Sequence, residues 1–177
     1  MNKNEHIAHI AANGVNKVSV RVSKKAPTDD KPVLSKMKFF GRRTTKNVKP
    51  KDTIKIKPKK GVPGRTVVVY KPVKKGVLSL SDVKVYVRPI KTPEEPEEPE
   101  EPEEPEEPEE EEPEEKDVTT PELPATGPGT DPAAGNDGDP DTCFTSNKIR
   151  NPWWSVDLQK ECDVVAVHIK ACAKSRE

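Results

Sequence analysis

Aromatic side chains are scarce in this chain, 4% of its 177 residues, and two of them are the adjacent Trp153 and Trp154. Histidine is rarer still. His6, His9 and His168 have no nucleophile beside them and no Cys/His spacing suited to zinc, so no catalytic constellation is visible and the chain reads as a non-enzyme. Long apolar runs are missing too: nothing approaches the roughly 18 residues of a membrane span. The first residues, MNKNEHIAHIAANGV, lack the apolar core of a secretory signal. Only three cysteines occur, Cys143, Cys162 and Cys172. An extracellular domain usually pairs its cysteines evenly, so either one thiol is free or its partner lies outside this sequence.

What the chain has instead is charge and proline. Charged residues make up 35%, hydrophobic residues 31%, and there are 20 prolines, a partly disordered profile. The formal net charge of zero hides a segregation. Residues 1–92 carry 24 Lys/Arg against 5 Asp/Glu, residues 93–117 carry one Lys against 17 acids, and the remainder carries 6 against 9. The acidic block is a Pro-Glu-Glu repeat. Proline favours the polyproline II helix and like charges repel, so residues 91–132 read as an extended, disordered linker, of which the repeat alone, some 23 residues at about 3.1 Å each, reaches about 70 Å when straight. At low salt this block should be drawn towards the basic half. Leu123 to Gly127 spell LPATG, a match to the sortase signal, but Pro, Gly, Asp and Ala follow where that signal needs an apolar span, so the match reads as coincidence.

Residues 1–14 read as a disordered start. From Val15 the pattern is β-like: Val18, Val20 and Val22 alternate with polar residues, as do Ile54 and Ile56, and Val67, Val68, Val69 and Tyr70 form a short apolar run. Prolines and glycines fall between these runs. Leu78 and Leu80 share one parity, whereas Val83, Val85 and Val87 have the other. A β-bulge at Ser81-Asp82 would return both sets to the core and re-aim Asp82.

Residues 136–158 hold the densest group of acids outside the repeat. Asp137-Gly138 and Asp139-Pro140 are turn formers. Aspartates at alternate positions, 137, 139 and 141, either form an ordinary solvated turn or aim several oxygens at one cation. After the Asn151-Pro152 turn, Trp154, Val156 and Leu158 share one strand face. Val165, Val167 and Ile169 read as a further strand with His168 on its outer face.

The string NPWW-x-VDL, preceded by an acidic DGD turn and Cys-x-Thr, resembles the start of an F-type lectin domain, a fucose-binding, calcium-dependent, discoidin-like jelly roll. GRTVVVYKPVKKGVLSLSDVKVYV resembles the closing strands of the same domain, and VNKVSVRV resembles one of its middle strands. The resemblance implies an all-β, jelly-roll β-sandwich whose pieces stand in inverted order. Residues 15–90 correspond to the C-terminal part and residues 133–177 to the N-terminal part of a domain. The chain would then be either a fragment of a tandem-domain protein or a circular permutant with its halves packed together.

Carried over by position, the family's calcium ligands fall on Ala134 (a carbonyl), Asp137, Asp139 and Thr142, closed by Ser81 (a carbonyl) and Asp82. Ser81 stands where the family has a cysteine. The sugar-gripping cationic positions fall on Thr145 and Cys172, so that site is not intact. The resemblance therefore implies an extracellular Ca2+-dependent module recognising glycans or glycoproteins, fucosylated in the family, with a degenerate sugar site and a possible tandem or oligomeric setting. The residues alone leave another reading: a basic β-rich scaffold whose KPKKG and KPVKKG patches bind polyanions, either sulfated glycans or nucleic acid.

Overall fold

The computed structural model describes residues 15–26, 32–44, 48–90, 116–117 and 123–172; the disordered start and the Pro-Glu-Glu repeat lie outside the described residues. The strands are β1 (Lys17–Ser23), β2 (Lys38–Thr44), β3 (Thr53–Ile56), β4 (Val62–Tyr70), β5 (Ser79–Arg88), β6 (Lys116–Asp117), β7 (Ala125–Thr126), β8 (Phe144–Thr145) and β9 (Trp153–Ala171). Every pairing among them is antiparallel, and the only helical elements named within the described residues are short 3-10 turns at Leu34–Lys36 and Pro132–Gly135. The protein is all-β.

The principal strand order is β2-β1-β4-β9-β5-β6, with β3 and β7 also on β9 and β8 on β5. β9 is the hub. Its 19 residues far exceed the five or six of an ordinary strand, and a straight strand of that length would span about 60 Å. It turns a corner instead. Trp153 to Asp157 pair with β4, while 155 and 156 also pair with β7. Beyond the corner, residues 162–164 pair with the start of β4, residues 167–170 with β3, and residues 163–171 with β5. The strand thus serves two arrays, and both contribute to one hydrophobic cluster containing Val20, Val69 and Trp154 from the first and Val85, Val167 and Ile169 from the second. Segments 15–90 and 123–172 therefore share a single core.

The corner has a specific chemistry. Opposite Arg65 of β4 the ladder breaks, and residues 158–161 of β9 have no rung, with Gln159 at φ 64°. Arg65 bonds both carboxylate oxygens of Asp157, Nε to Oδ1 at 2.7 Å and an Nη to Oδ2 at 2.8 Å. Asp157 also accepts the Gln159 backbone N–H at 2.9 Å, fixing the residue that bends the chain. The Arg65 guanidinium is the main reason the buried Asp157 carboxyl is held below the usual carboxylate range, against the opposing effect of burial.

The alternating valines form β1 and β5 and the alternating isoleucines β3, as the pattern predicts, and the phase slip in β5 is a bulge: register shifts between Leu80 and Asp82, with Ser81 fully buried. Val68 and Tyr70 are buried on the face opposite Val67 and Val69 because Trp153, Leu34 and Met37 cover them, so the continuous apolar run is a strand buried on both faces.

Two readings need correction, and one strand was not anticipated: β2 has no alternating signal, since only Phe40 of its seven residues is buried. Val165 does not share the core face of Val167 and Ile169; the ladder shifts between Tyr86 and Val87, so Val164 takes the core and Val165 is the extra residue. The stretch 123–132, assigned to the linker, is packed: Leu123 and Ala125 lie against the core and β7 pairs with β9. LPATG is therefore a built-in edge strand, with Asp157 N–H donating to the Pro124 carbonyl at 2.9 Å.

Replacing Asp157 with Ala removes both the ion pair and the acceptor for Gln159. We expect a melting temperature several degrees lower at pH 7. Because the folded carboxyl titrates below its unfolded value of about 3.9, its stabilisation is present above that pH and is lost as pH falls through the folded value. The gap between wild type and variant should accordingly close in strongly acidic solution. Melting curves from pH 7 to pH 2 check this, and a constant gap would remove the ion pair from the account.

Candidate functional site

The predicted calcium ligands come from two stretches more than 50 residues apart, and the fold brings those stretches to one edge. β8 pairs with the start of β5, Ser79 opposite Thr145 and Leu80 opposite Phe144. Leu80 and Asp82 in turn face Ala171 and Lys170 of β9. A disulfide joins Cys143 to Cys172, with Cα atoms 5.8 Å apart, so the acidic loop is fastened to the end of β9. The turn at residues 49–52 closes the same edge: Lys51 N–H donates to the Ala171 carbonyl and Ala171 N–H to that of Asp52.

The loop starts from the Pro132–Gly135 turn. Asp131 caps it by accepting the Ala133 N–H at 3.0 Å, and Pro132 has no N–H to satisfy. Trp154 Nε1–H donates to the Pro132 carbonyl at 2.8 Å, tying the turn to the hub strand. Only glycine fits at 135, where a Cβ would stand 2.5 Å from Trp154 Nε1. Gly138 follows at φ 76°, the left-handed conformation its Asp-Gly turn demands.

Each predicted residue has a definite place. Ala134 is half-buried in the 3-10 turn, its N–H bonded to the Asp131 carbonyl. Asp137 uses both oxygens, Oδ1 accepting the Asp139 N–H at 2.9 Å and Oδ2 the Thr142 hydroxyl at 2.6 Å. Asp139 is exposed and accepts the Asp141 N–H at 2.8 Å. Ser81 is the buried bulge residue, its hydroxyl 3.4 Å from the Ala171 carbonyl. Asp82 is half-exposed on the neighbouring rung, opposite Lys170.

These are hard oxygen donors, the class a calcium ion takes. As arranged, the loop carboxylates serve backbone N–H groups and a hydroxyl rather than a common centre. Among the described residues no group of three or more His, Cys, Asp or Glu side chains is placed to hold a metal ion. A cation here would have to displace the Thr142 hydroxyl from Asp137.

The two sugar positions are structural. The Thr145 hydroxyl lies 3.0 Å from that of Ser79, and its N–H donates to Thr130 Oγ1 at 2.8 Å. Cys172 is spent in the disulfide. Cys162 is a buried free thiol, raised above its ordinary pKa by burial and so held protonated.

Sequence reasoning missed two features. Asp141, the third alternate aspartate, meets the Lys51 ammonium at 3.3 Å across 90 positions; the alternation marks Asp141, but nothing in the sequence marks Lys51, which sits at φ 67°. The second is a groove of about 460 Å³, floored by Val68 and Trp153 and rimmed by Lys25, Lys36 and Lys38. It lies between the end of β1 and residues 32–38, a long-range juxtaposition without local signature.

Replacing Cys143 and Cys172 together by serine tests the fastening. The loop they close, with a sequence separation of 29, corresponds to about 3–4 kcal/mol of chain entropy. The double variant should melt markedly lower, and amide exchange should accelerate in residues 137–145 before it does so in β4. Uniform acceleration throughout would show that the disulfide does not act on this loop in particular.

Comparison with protein-family models, curated proteins and solved structures gave no match to this chain.

Proposed function

We propose that the chain is a non-catalytic recognition module, a lectin-like jelly-roll β-sandwich of the F-type lectin kind that works outside the cell, where calcium couples loop 134–142 to the Ser81-Asp82 bulge and glycans are the partners. The observation that supports this reading is the edge itself. Two stretches that resemble the opening and closing parts of one such domain meet through the β5–β8 ladder, in an order that a circular permutation would produce. A disulfide within the same edge suits an oxidising compartment.

In this reading Asp137, Asp139 and Asp82 hold the ion, with Thr142 and the carbonyls of Ala134 and Ser81 completing an all-oxygen set. Calcium would order the edge rather than touch a reacting group. The occupied roles of Thr145 and Cys172 point away from fucose gripped in the family manner, so the sugar would be met by another surface.

Calcium should raise the melting temperature, because an ion that binds only the folded chain stabilises it by about 2.7 kcal/mol at a hundredfold excess over its dissociation constant. Asp137→Ala and Asp82→Ala should each abolish that rise while leaving the chelated protein folded. A glycan array run with calcium and with chelator reads the partner. An unchanged melting temperature in millimolar calcium, together with no calcium-dependent glycan signal, would overturn the proposal. Loss in Asp137→Ala but not in Asp82→Ala would dissolve the coupling between the two stretches.

A further inference from the structure

The groove beside β1 and β4 combines apolar and basic surface. Val68, Trp153, Met37 and Pro63 line it, together with Val33, a large apolar side chain left 55% exposed. Lys24, Lys25, Lys36 and Lys38 line it as well, and all four are exposed. Among the described residues no Asp or Glu does so. Lys24 is paired with Glu161, which lies outside the groove. Two hydrogen bonds fix the rim. The Thr66 hydroxyl donates to the Lys25 carbonyl at 2.6 Å, and Arg21 donates to the carbonyl of Met37, between Lys36 and Lys38, at 2.9 Å.

The sheet brings both flanks of the Pro-Glu-Glu repeat close to this groove. β5 ends at Arg88, which stands opposite Asp163 of β9, and Asp163 stands opposite Pro63 of β4, a groove residue. Two strand spacings of about 4.8 Å place Arg88 about 10 Å from Pro63. β6 rejoins the sheet at the same end of β5, with Lys116 opposite Val87 and Asp117 opposite Tyr86. The acidic stretch between Ile90 and Lys116 is therefore tethered at both ends beside the groove.

We propose that the groove is the docking site of the chain's own Pro-Glu-Glu repeat. Prolines recur at every third position from Pro93 to Pro108, with two glutamates between each. Polyproline II has three residues per turn and rises about 3.1 Å per residue. In that conformation the prolines line up on one edge, about 9 Å apart, and the glutamates occupy the other two. Aromatic-lined grooves accept such a proline edge because the helix is preformed and loses little entropy on docking. Here the proline edge meets Trp153, Val68 and Met37, while the glutamates meet the ammonium groups of Lys25, Lys36 and Lys38. Exposed ion pairs contribute only about 0.2–1 kcal/mol each. Tethering offsets that weakness, since a short flexible tether gives an effective concentration in the millimolar range. A sulfated glycan fits less well, because it would use the rim and leave the apolar floor unmatched.

The test compares the full chain with a variant whose residues 93–113 are replaced by glycine and serine at equal length, both in chelator so that no calcium effect enters. At low salt, acetylation of Lys25, Lys36 and Lys38 should be several-fold faster in the variant. Acetylation of the exposed Lys74 and Lys75, beyond the other end of β4, should not change. In about 1 M salt, where charges are screened within about 3 Å, the difference should disappear. A free peptide of five Pro-Glu-Glu units should bind the replaced chain about tenfold more tightly than wild type, whose groove is already filled. Adding Lys25→Gln, Lys36→Gln and Lys38→Gln to the replaced chain should lower that affinity about tenfold. A peptide of the same composition with its three-residue period scrambled should bind more weakly. Protection in wild type needs no variant of the groove to fold. Unchanged acetylation of the three rim lysines on replacement, equal change at Lys74 and Lys75, period-independent peptide binding, or undiminished binding by a folded triple variant would each overturn the proposal. Protection that grows with protein concentration alongside a dimer mass would assign the groove to a second copy and overturn it too.

Discussion

The bidentate contact between Arg65 and Asp157 is the constraint on which the rest of the architecture depends. A strand of 19 residues must either end early or bend, and β9 bends where Asp157 takes Arg65 with both oxygens and the Gln159 N–H as well. The paired oxygens fix the direction of the bend as well as its place, because a planar guanidinium meets a carboxylate in one plane. Past the corner, β9 slots between β3 and β5, and its last residues carry Cys172 to Cys143. The acidic loop therefore owes its position to an ion pair in another part of the sheet. With Asp157 protonated, the bend would lose its charge-assisted bonds.

Much of the fold was legible where a side chain's own periodicity decides its environment. Val18, Val20 and Val22 name a buried face without reference to any partner, and the parity change between Leu80 and Val83 requires an extra residue wherever the strand ends up. Legibility stops where an element's role is set by its neighbours. β2 carries one buried side chain and is a strand only because β1 offers it a hydrogen-bonding edge. LPATG has the composition of a linker and becomes β7 because the Pro124 carbonyl finds the Asp157 N–H. The site divides in the same way. The alternating aspartates announce a turn, and the bulge singles out Asp82. That these two features share an edge follows from the pairing of β5 with β8, which neither stretch encodes alone.

The loop also shows why oxygen-rich turns are ambiguous as metal sites. Asp137 is satisfied without any cation, by one N–H and one hydroxyl, and Asp139 by one N–H. Such a loop folds on its own bonds, so an ion must compete with them. Its gain is the neutralisation of carboxylates less the bonds displaced, of which the 2.6 Å contact from Thr142 is the shortest.

The excess of lysine and arginine in the first half of the chain has more than one physical cause, and position in the sheet separates them. On β2 the cations Lys38, Arg42 and Arg43 line a strand that ends the principal order, where charge discourages pairing with other chains, and Arg42 is further used by the Ser19 hydroxyl. Arg21 donates to the Met37 carbonyl and lies over the Phe39 ring, so it packs the outer face of the same arm.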